Sequence, residues 1–218
     1  MLVHPLAQFL AQGHLYGITD LRYRWASHQD CAQAMVEAGV RLVQYRGKDL
    51  PWEQQRAELL ALVPWARERG AWVVVNDHLD LALLSGADGL HLGQGDLDPA
   101  RARALLGPKV ALGLSTHNRV QAQAALGLGI DYLGVGPAYA TPSKPEEPEA
   151  GLGFLAWTAK EIGLPQVAIG GIQWERLPEV LNTGQRSVAM IEGLLGAPDL
   201  KAQVARIEAR LAQGQPLG

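Results

Sequence analysis

Residues 42–75 read LVQYRGKDLPWEQQRAELLALVPWARERGAWVVV. Leu42–Tyr45 and Trp72–Val75 are short, nearly continuous apolar runs, which are typical of strands buried on both faces of a parallel sheet. Between them, Trp52–Arg69 has the length and the mixed apolar and charged pattern of an amphipathic helix. The segment therefore predicts one strand–helix–strand unit with parallel strands.

The same alternation extends in both directions along the chain. The predicted strands are Leu15–Ile18, Leu42–Tyr45, Trp72–Val75, Gly89–Leu92, Val110–Leu114, Tyr132–Gly136, Gln166–Ile169 and Ser187–Ile191. The predicted helices include Asp30–Ala38, Trp52–Arg69, Pro99–Leu106, Arg119–Leu126, Trp174–Leu181 and Leu200–Leu211. Eight units in roughly 200 residues favour a closed α/β barrel, the (β/α)8 TIM barrel. Residues 18–21 lack the glycine-rich turn of an open dinucleotide-binding sheet. We expect one domain over residues 1–218, with residues 1–13 as an N-terminal helical extension.

Composition narrows the class of protein. The chain has 218 residues, of which 48% are hydrophobic and 19% charged, as in ordinary globular proteins. A net charge of −3 gives no electrostatic reason to expect nucleic acid or an anionic membrane as a partner. Neither a signal peptide nor a bilayer-spanning apolar run is evident, and the single cysteine, Cys31, cannot form an internal disulfide. These features predict a cytoplasmic protein.

Polar residues follow nearly every predicted strand, at the barrel edge where active sites lie. Arg46, Lys48 and Lys144 are cations suited to anionic oxygens. Asp77 and Asp96 follow neighbouring strands, and two carboxylates with phosphate oxygens are a common ligand set for Mg²⁺. After the last two strands, Gly170-Gly171 and Gly193 stand where barrels bind phosphate through backbone N–H groups. The pattern predicts a site for two separate anions.

Each of these residues also has a purely structural interpretation. Asp77 and Asp96 could be helix N-caps, and so could Ser115 or Thr116. His91 could simply pack among apolar neighbours, Gly170-Gly171 could form only a tight turn, and Arg46 with Lys48 could be a solvated edge. The functional interpretation is favoured because the structural one requires almost every strand to end in such residues by coincidence.

Taken in order, these residues resemble the thiamine-phosphate synthase family over nearly the whole barrel. The motifs that carry the resemblance are Tyr16-Gly17-Ile18-Thr19-Asp20, Gln44-x-Arg46-x-Lys48, Asn76-Asp77, Gly89-x-His91-Leu92-Gly93-Gln94-x-Asp96, Ser115-Thr116-His117, Gly134-x-Gly136-Pro137, Thr141-x-Ser143-Lys144 and Ile169-Gly170-Gly171-Ile172. Each motif is weak alone, whereas the ordered set is specific.

The resemblance implies a transferase that condenses 4-amino-2-methyl-5-(diphosphooxymethyl)pyrimidine with 4-methyl-5-(2-phosphoethyl)thiazole, releasing thiamine phosphate and pyrophosphate. It implies Mg²⁺ held by Asp77 and Asp96, catalytic roles for Arg46, Lys48, Lys144 and Ser115, and a homodimer. The substrate contacts it implies are Gln44, Tyr45, Arg46, Gly47, Lys48, Asn76, Ser115, Thr141, Pro142, Ser143, Lys144, Gly171, Ile191 and Glu192. On this interpretation Lys144 belongs to a lid over residues 141–150.

Two positions depart from the family pattern. Glu192 stands where the family usually has Ser beside the thiazole phosphate, and Gly47 stands where a polar residue is commoner. Two other functions therefore stay open. One is a thiazole tautomerase on the same fold that uses His117, and the other is a non-catalytic ligand-binding paralogue. The complete set of diphosphate and metal residues favours the synthase over both.

Overall fold

A computed structural model describes residues 4–141 and 147–213. Eight parallel strands form a closed barrel in chain order, and the last strand pairs with the first. The strands are β1 (Leu15–Ile18), β2 (Leu42–Tyr45), β3 (Trp72–Asn76), β4 (Gly89–Leu92), β5 (Ala111–Thr116), β6 (Tyr132–Val135), β7 (Gln166–Ala168) and β8 (Ser187–Met190). The predicted (β/α)8 barrel is confirmed.

Helices surround the barrel between successive strands. They are α1 (Pro5–Gln12), α2 (His28–Glu37), α3 (Trp52–Glu68), α4 (Leu79–Ser85), α5 (Pro99–Leu106), α6 (Arg119–Ala124), α7 (Gly151–Glu161), α8 (Leu177–Asn182), α9 (Glu192–Leu195) and α10 (Leu200–Gln213), with a 3₁₀ turn at Trp174–Arg176 before α8. Most predicted boundaries lie within two residues of these. The largest strand difference is in β5, which includes Ser115 and Thr116 because they pair with Gly134 and Val135 of β6.

The core has two layers. The larger layer lies between the sheet and the helices. Helix α10 contributes to it the predicted stripe of Leu200, Val204, Ile207 and Leu211. The smaller fills the barrel interior and includes Leu6 and Leu10 of α1. The hydroxyl of Ser187, at the start of β8, donates to the carbonyl of Leu10 at 2.7 Å. Helix α1 therefore closes the N-terminal end of the barrel and leaves the opposite end open.

No helix among the described residues combines the length and apolarity needed to cross a membrane.

Cys31 is fully buried on α2, and burial raises the pKa of its thiol to about 12. A thiol with so high a pKa stays protonated and therefore unreactive at neutral pH. Cys31 therefore acts as a packing residue of the core.

Candidate functional site

A cavity opens at the carboxyl ends of the strands. The lining residues that the sequence predicted are Gln44, Arg46, Asn76, Ser115, Thr141, Gly171, Ile191 and Glu192. Apolar side chains on or directly after three other strands, β1, β7 and β8, complete the walls: Ile18, Val167, Ile169 and Ala189. The site therefore combines polar and charged groups with surfaces that can enclose a flat ring.

Strand β2 sends alternate side chains to opposite sides of the sheet. Gln44 and Arg46 line the cavity, whereas the phenol of Tyr45 donates to Oε2 of Glu58 on α3 at 3.0 Å, outside the barrel. A Cβ on Gly47 would lie 2.9 Å from the Tyr45 ring. The absence of a polar side chain at Gly47 is thus explained by packing. Contact of Tyr45 and Gly47 with substrate through their backbone atoms stays a prediction.

The backbone of Arg46 is anchored by a buried pair from two other elements. The hydroxyl of Thr19, just after β1, accepts the Arg46 N–H at 2.9 Å and lies 2.8 Å from Nδ1 of His28 on α2. His28 is 2% exposed, and its Nε2 has no hydrogen-bond partner among the described residues. His28 and Thr19 therefore position the backbone that carries Arg46. This role was not evident from the sequence, because the two residues meet only in the fold.

Burial lowers the pKa of His28, and this predicts a pH-dependent stability. An unfolded histidine titrates near about pH 6.5. Because the folded pKa lies lower, the contribution of neutral His28 is fully present above that pH and is lost as pH falls through the folded pKa. We expect His28→Asn to flatten the decline of the thermal midpoint between about pH 7 and 5. Exposed His78 provides the control: if His78→Asn flattens the decline equally, burial of His28 is not the cause.

Two carboxylates meet at the cavity rim, as the sequence predicted. Burial, together with the facing carboxylate of Asp77, raises the pKa of Asp96 above its ordinary value. Nζ of Lys48 lies 2.9 Å from Oδ2 of Asp77. Oδ2 of Asp96 also accepts the N–H of Gly93 at 2.7 Å. Two acids so close repel each other unless a cation lies near both.

Neither aspartate is a helix N-cap. The cap of α4 is His78, and that of α5 is Asp98, whose carboxylate accepts the Arg101 N–H at 2.9 Å. Within residues 4–141 and 147–213, Asp77 is the one non-glycine residue with a positive φ, 64°, and the His78 N–H donates across it to the Asn76 carbonyl at 2.7 Å. This tight, strained turn directs Asp77 toward Asp96 rather than toward its own helix. Strain of this kind is typical of functional sites.

Ser115 is not a cap either, since α6 begins after Asn118. Its Oγ lies 2.9 Å from Nε2 of His91, and both residues line the cavity. His91 is buried and packs against Tyr132, and in addition it is hydrogen-bonded to Ser115 at the cavity. Buried Tyr16 also lines the cavity, although the sequence assigned it no role.

Backbone groups dominate the side formed by β7 and β8. Gly170 and Gly171 have φ of 99° and 60°, and a Cβ on them would lie 2.4 Å from Pro137 and 2.7 Å from the Ala140 carbonyl. A tight turn is therefore required here, and it also brings bare backbone to the cavity. Helix α9 begins at Glu192, and the first N–H groups of a helix lack intrahelical acceptors.

A cation close to the Glu192 carboxylate is Arg22. Arg186 precedes β8 whereas Glu192 follows it, so these two lie at opposite ends of the barrel. Arg22 is paired with buried Asp20, and the Glu192 carboxylate adds to the effect of Asp20 in raising the pKa of Arg22. The negative charge of Glu192 therefore has a positive neighbour.

The remaining predicted residues lie on or next to the loop after β6. His117 lines the cavity with Nδ1 2.7 Å from the Gly136 carbonyl and Nε2 3.8 Å from Glu147. Thr141 and Glu147 also line it. Pro142, Ser143 and Lys144 lie outside the described residues. The lid predicted for residues 141–150 stays a prediction.

Known proteins match this chain over nearly the whole barrel. Residues 15–194 match the family model described as thiamine monophosphate synthase. A thiamine-phosphate synthase of Pelotomaculum thermopropionicum is 43% identical over 206 residues, covering 94% of each chain. Another, from Mycobacterium sp. strain JLS, is 41% identical over 214 residues, covering 94% of this chain and 95% of the relative. The structure of thiamine phosphate pyrophosphorylase from Pyrococcus furiosus superposes with a TM-score of 0.83 at 30% identity, covering 96% of this chain and 100% of that chain.

Proposed function

This chain belongs to the thiamine-phosphate synthase family, and from that premise we propose how its own residues carry out the condensation. The substrates are the pyrimidine diphosphate and the thiazole phosphate, and the products are thiamine phosphate and pyrophosphate. The bond between the pyrimidine methylene and the diphosphate oxygen breaks, and the thiazole nitrogen forms the new bond with its own lone pair. No proton has to leave the nucleophile first. This chemistry agrees with a cavity built from cations and carboxylates.

One observation carries the proposal: Asp77 and Asp96 face each other at the cavity rim beside Lys48. The pair fits one Mg²⁺, because this ion takes one or two protein carboxylates and completes its octahedron with water and phosphate oxygens. No group of three or more acidic, histidine or cysteine side chains suited to a metal occurs among the described residues. The other ligands would thus come from substrate and water. When bound, Mg²⁺ would neutralise charge on the departing diphosphate.

The other residues divide the work between the two substrates. Arg46 and Lys48 stabilise the charge that grows on the leaving diphosphate, and Lys144 is proposed to join them. Gln44, Asn76 and Ser115 hold the pyrimidine diphosphate. Gly171 and the backbone at Ile191 and Glu192 bind the thiazole phosphate, together with Thr141, Pro142 and Ser143.

The test of the proposal is direct. Purified protein is incubated with both substrates and Mg²⁺, and pyrophosphate and thiamine phosphate are followed together. Equal amounts of both products, with none when either substrate is omitted, would support the synthase. Release of neither product would contradict it.

A second candidate function rests on His117. Its Nδ1 is occupied by the Gly136 carbonyl, so Nε2 is the nitrogen available for proton transfer in a thiazole tautomerase. If the thiazole phosphate alone is isomerised, and if His117→Asn abolishes that reaction but not condensation, the chain has both activities. If the protein binds ligand and catalyses neither reaction, the non-catalytic alternative holds.

We further propose a cytoplasmic homodimer without nucleic-acid or membrane partners.

The substitution Glu192→Ser tests the departure from the family pattern. An unrelieved carboxylate about 4 Å from a phosphate would cost on the order of 4 kcal/mol at an effective dielectric of 20, or roughly a thousandfold in affinity. Because Arg22 lies near Glu192 and the phosphate contact is through backbone N–H groups, we expect much less. The KM for thiazole phosphate should change by only about threefold, well under one tenfold step of 1.4 kcal/mol. An improvement of a hundredfold or more would show that the carboxylate faces the phosphate.

A further inference from the structure

Five polar side chains form a continuous hydrogen-bonded chain across the barrel interior. Nε2 of Gln44 donates to the hydroxyl of Tyr16 at 3.1 Å. The Tyr16 and Tyr132 hydroxyls are 3.1 Å apart, and the Tyr132 hydroxyl lies 3.1 Å from Nδ1 of His91. Nε2 of His91 then lies 2.9 Å from Oγ of Ser115. The chain therefore joins two proposed substrate contacts, Gln44 and Ser115, through three residues to which no role has been assigned.

Two glycines make this chain sterically feasible. In the strand register, Gly113 stands between His91 and Tyr132, as the neighbour of each on the adjoining strands. A Cβ on Gly113 would lie 2.2 Å from Tyr132 Cζ and 2.5 Å from His91 Nδ1. A Cβ on Gly134, the neighbour of Ser115, would lie 3.1 Å from the His91 ring. The barrel thus has side-chain-free positions where the chain crosses from β4 to β6.

The donors can be arranged in two directions. In the first, Tyr16 donates to Tyr132, Tyr132 donates to Nδ1 of His91, and the Nε2–H of His91 donates to Ser115. The Ser115 hydroxyl hydrogen is then left for the cavity. In the second, these three donors are reversed while Gln44 still donates to Tyr16, and the hydrogen without an acceptor in the chain belongs to Tyr16. Reversal therefore changes the tautomer of His91 and moves the available hydrogen from one end of the chain to the other.

Burial favours the first direction. Both residues line the cavity, but Tyr16 is 2% exposed, whereas Ser115 is only partly buried. A hydroxyl hydrogen without an acceptor costs more in the interior than at a cavity surface that water or substrate can reach. A neutral imidazole fixed by its neighbours carries its hydrogen on one definite nitrogen.

We propose that Tyr132 holds His91 as its Nε2–H tautomer, that Tyr16 supports Tyr132, and that these three positioning residues so present the Ser115 hydroxyl as a donor to the pyrimidine diphosphate. Tyr132 sets the tautomer, because its hydroxyl is the donor to Nδ1. Tyr16 sets the orientation of Gln44 and of Tyr132. The effect on turnover rests on the proposed function, whereas the tautomer of His91 does not.

The tautomer can be read without substrate by ¹⁵N NMR of histidine-labelled protein, with His91→Gln used to assign the signal. The wild type should show the Nε2–H form, and Tyr16→Phe should keep it because Tyr132 still donates. Tyr132→Phe should lose it, through a population of the Nδ1–H form. A wild type in the Nδ1–H form would overturn the proposal even if neither tyrosine variant folds.

Kinetics supply the second readout. Tyr132→Phe should lower kcat/KM for the condensation about tenfold, the equivalent of roughly one hydrogen bond. Tyr139→Phe is the matched control, since its hydroxyl bonds to Glu179 on the outside of the barrel. It should leave both the tautomer and kcat/KM unchanged. If the wild type is active and Tyr132→Phe changes the tautomer without lowering kcat/KM, the hydrogen-bonded chain does not contribute to catalysis. An inactive wild type with the Nε2–H tautomer would contradict the proposed function alone.

Discussion

Asp96→Asn is expected to lower kcat/KM on the order of a hundredfold, because the loss of one carboxylate weakens binding of a metal ion worth several kcal/mol to the leaving group. The same substitution should not destabilise the metal-free protein. Asp77 faces Asp96, and its charge raises the pKa of Asp96, so removing one of the two charges relieves repulsion. Activity should therefore fall while the stability of the metal-free protein stays the same or rises. A variant that simply unfolds would lose both.

The measurements are kcat/KM at saturating Mg²⁺ and the thermal midpoint with and without Mg²⁺ plus inorganic pyrophosphate. Ligand binding raises the midpoint of the wild type by mass action, and Asp96→Asn should lose most of that increase. Asp98→Asn is the matched control: it makes the same charge change in the same loop, and asparagine retains the N-cap of α5. Near-wild-type turnover of Asp96→Asn, or turnover of the wild type without divalent metal, would refute the role of the pair.

Arg46→Gln is expected to lower kcat about a hundredfold to a thousandfold, the effect of losing one strong donor aimed at developing charge. Arg46 lines the cavity, and its N–H is held by Thr19, so its side chain starts from a fixed backbone position. The charge on the diphosphate grows as the bond breaks, so we expect kcat to fall more than KM for the pyrimidine rises. Arg46→Lys should recover part of the loss, since it restores the charge but not the forked geometry.

Arg41→Gln serves as the control for this series. Arg41 precedes the same strand at its other end, where it donates to the Arg69 carbonyl at 2.7 Å, and it is exposed. It should leave kcat and KM unchanged. If Arg46→Gln loses no more activity than Arg41→Gln, Arg46 does not stabilise the leaving group. If its thermal midpoint falls sharply, the backbone contact with Thr19 has been lost and Arg46→Lys decides the question.

The predicted ligand pair and the β2 motif show how far local sequence can lead. Asp77 and Asp96 follow adjacent strands, and parallel strands end at one edge, so their proximity followed from order alone. The alternation along β2 separated Gln44 and Arg46 from Tyr45 in the same way.

The sequence by itself determined the barrel, its strand order and the edge that carries the polar residues, because hydrophobic period and chain order are local properties. Only the tertiary structure decided which side chains meet through the barrel interior. The chain from Gln44 to Ser115 draws one residue from each of five strands, β2, β1, β6, β4 and β5. The spacing of residues along the sequence does not predict such contacts, because they depend on barrel closure and on the space left by glycines such as Gly113. The strained turn at Asp77 and the anchoring of Arg46 by Thr19 and His28 have the same origin.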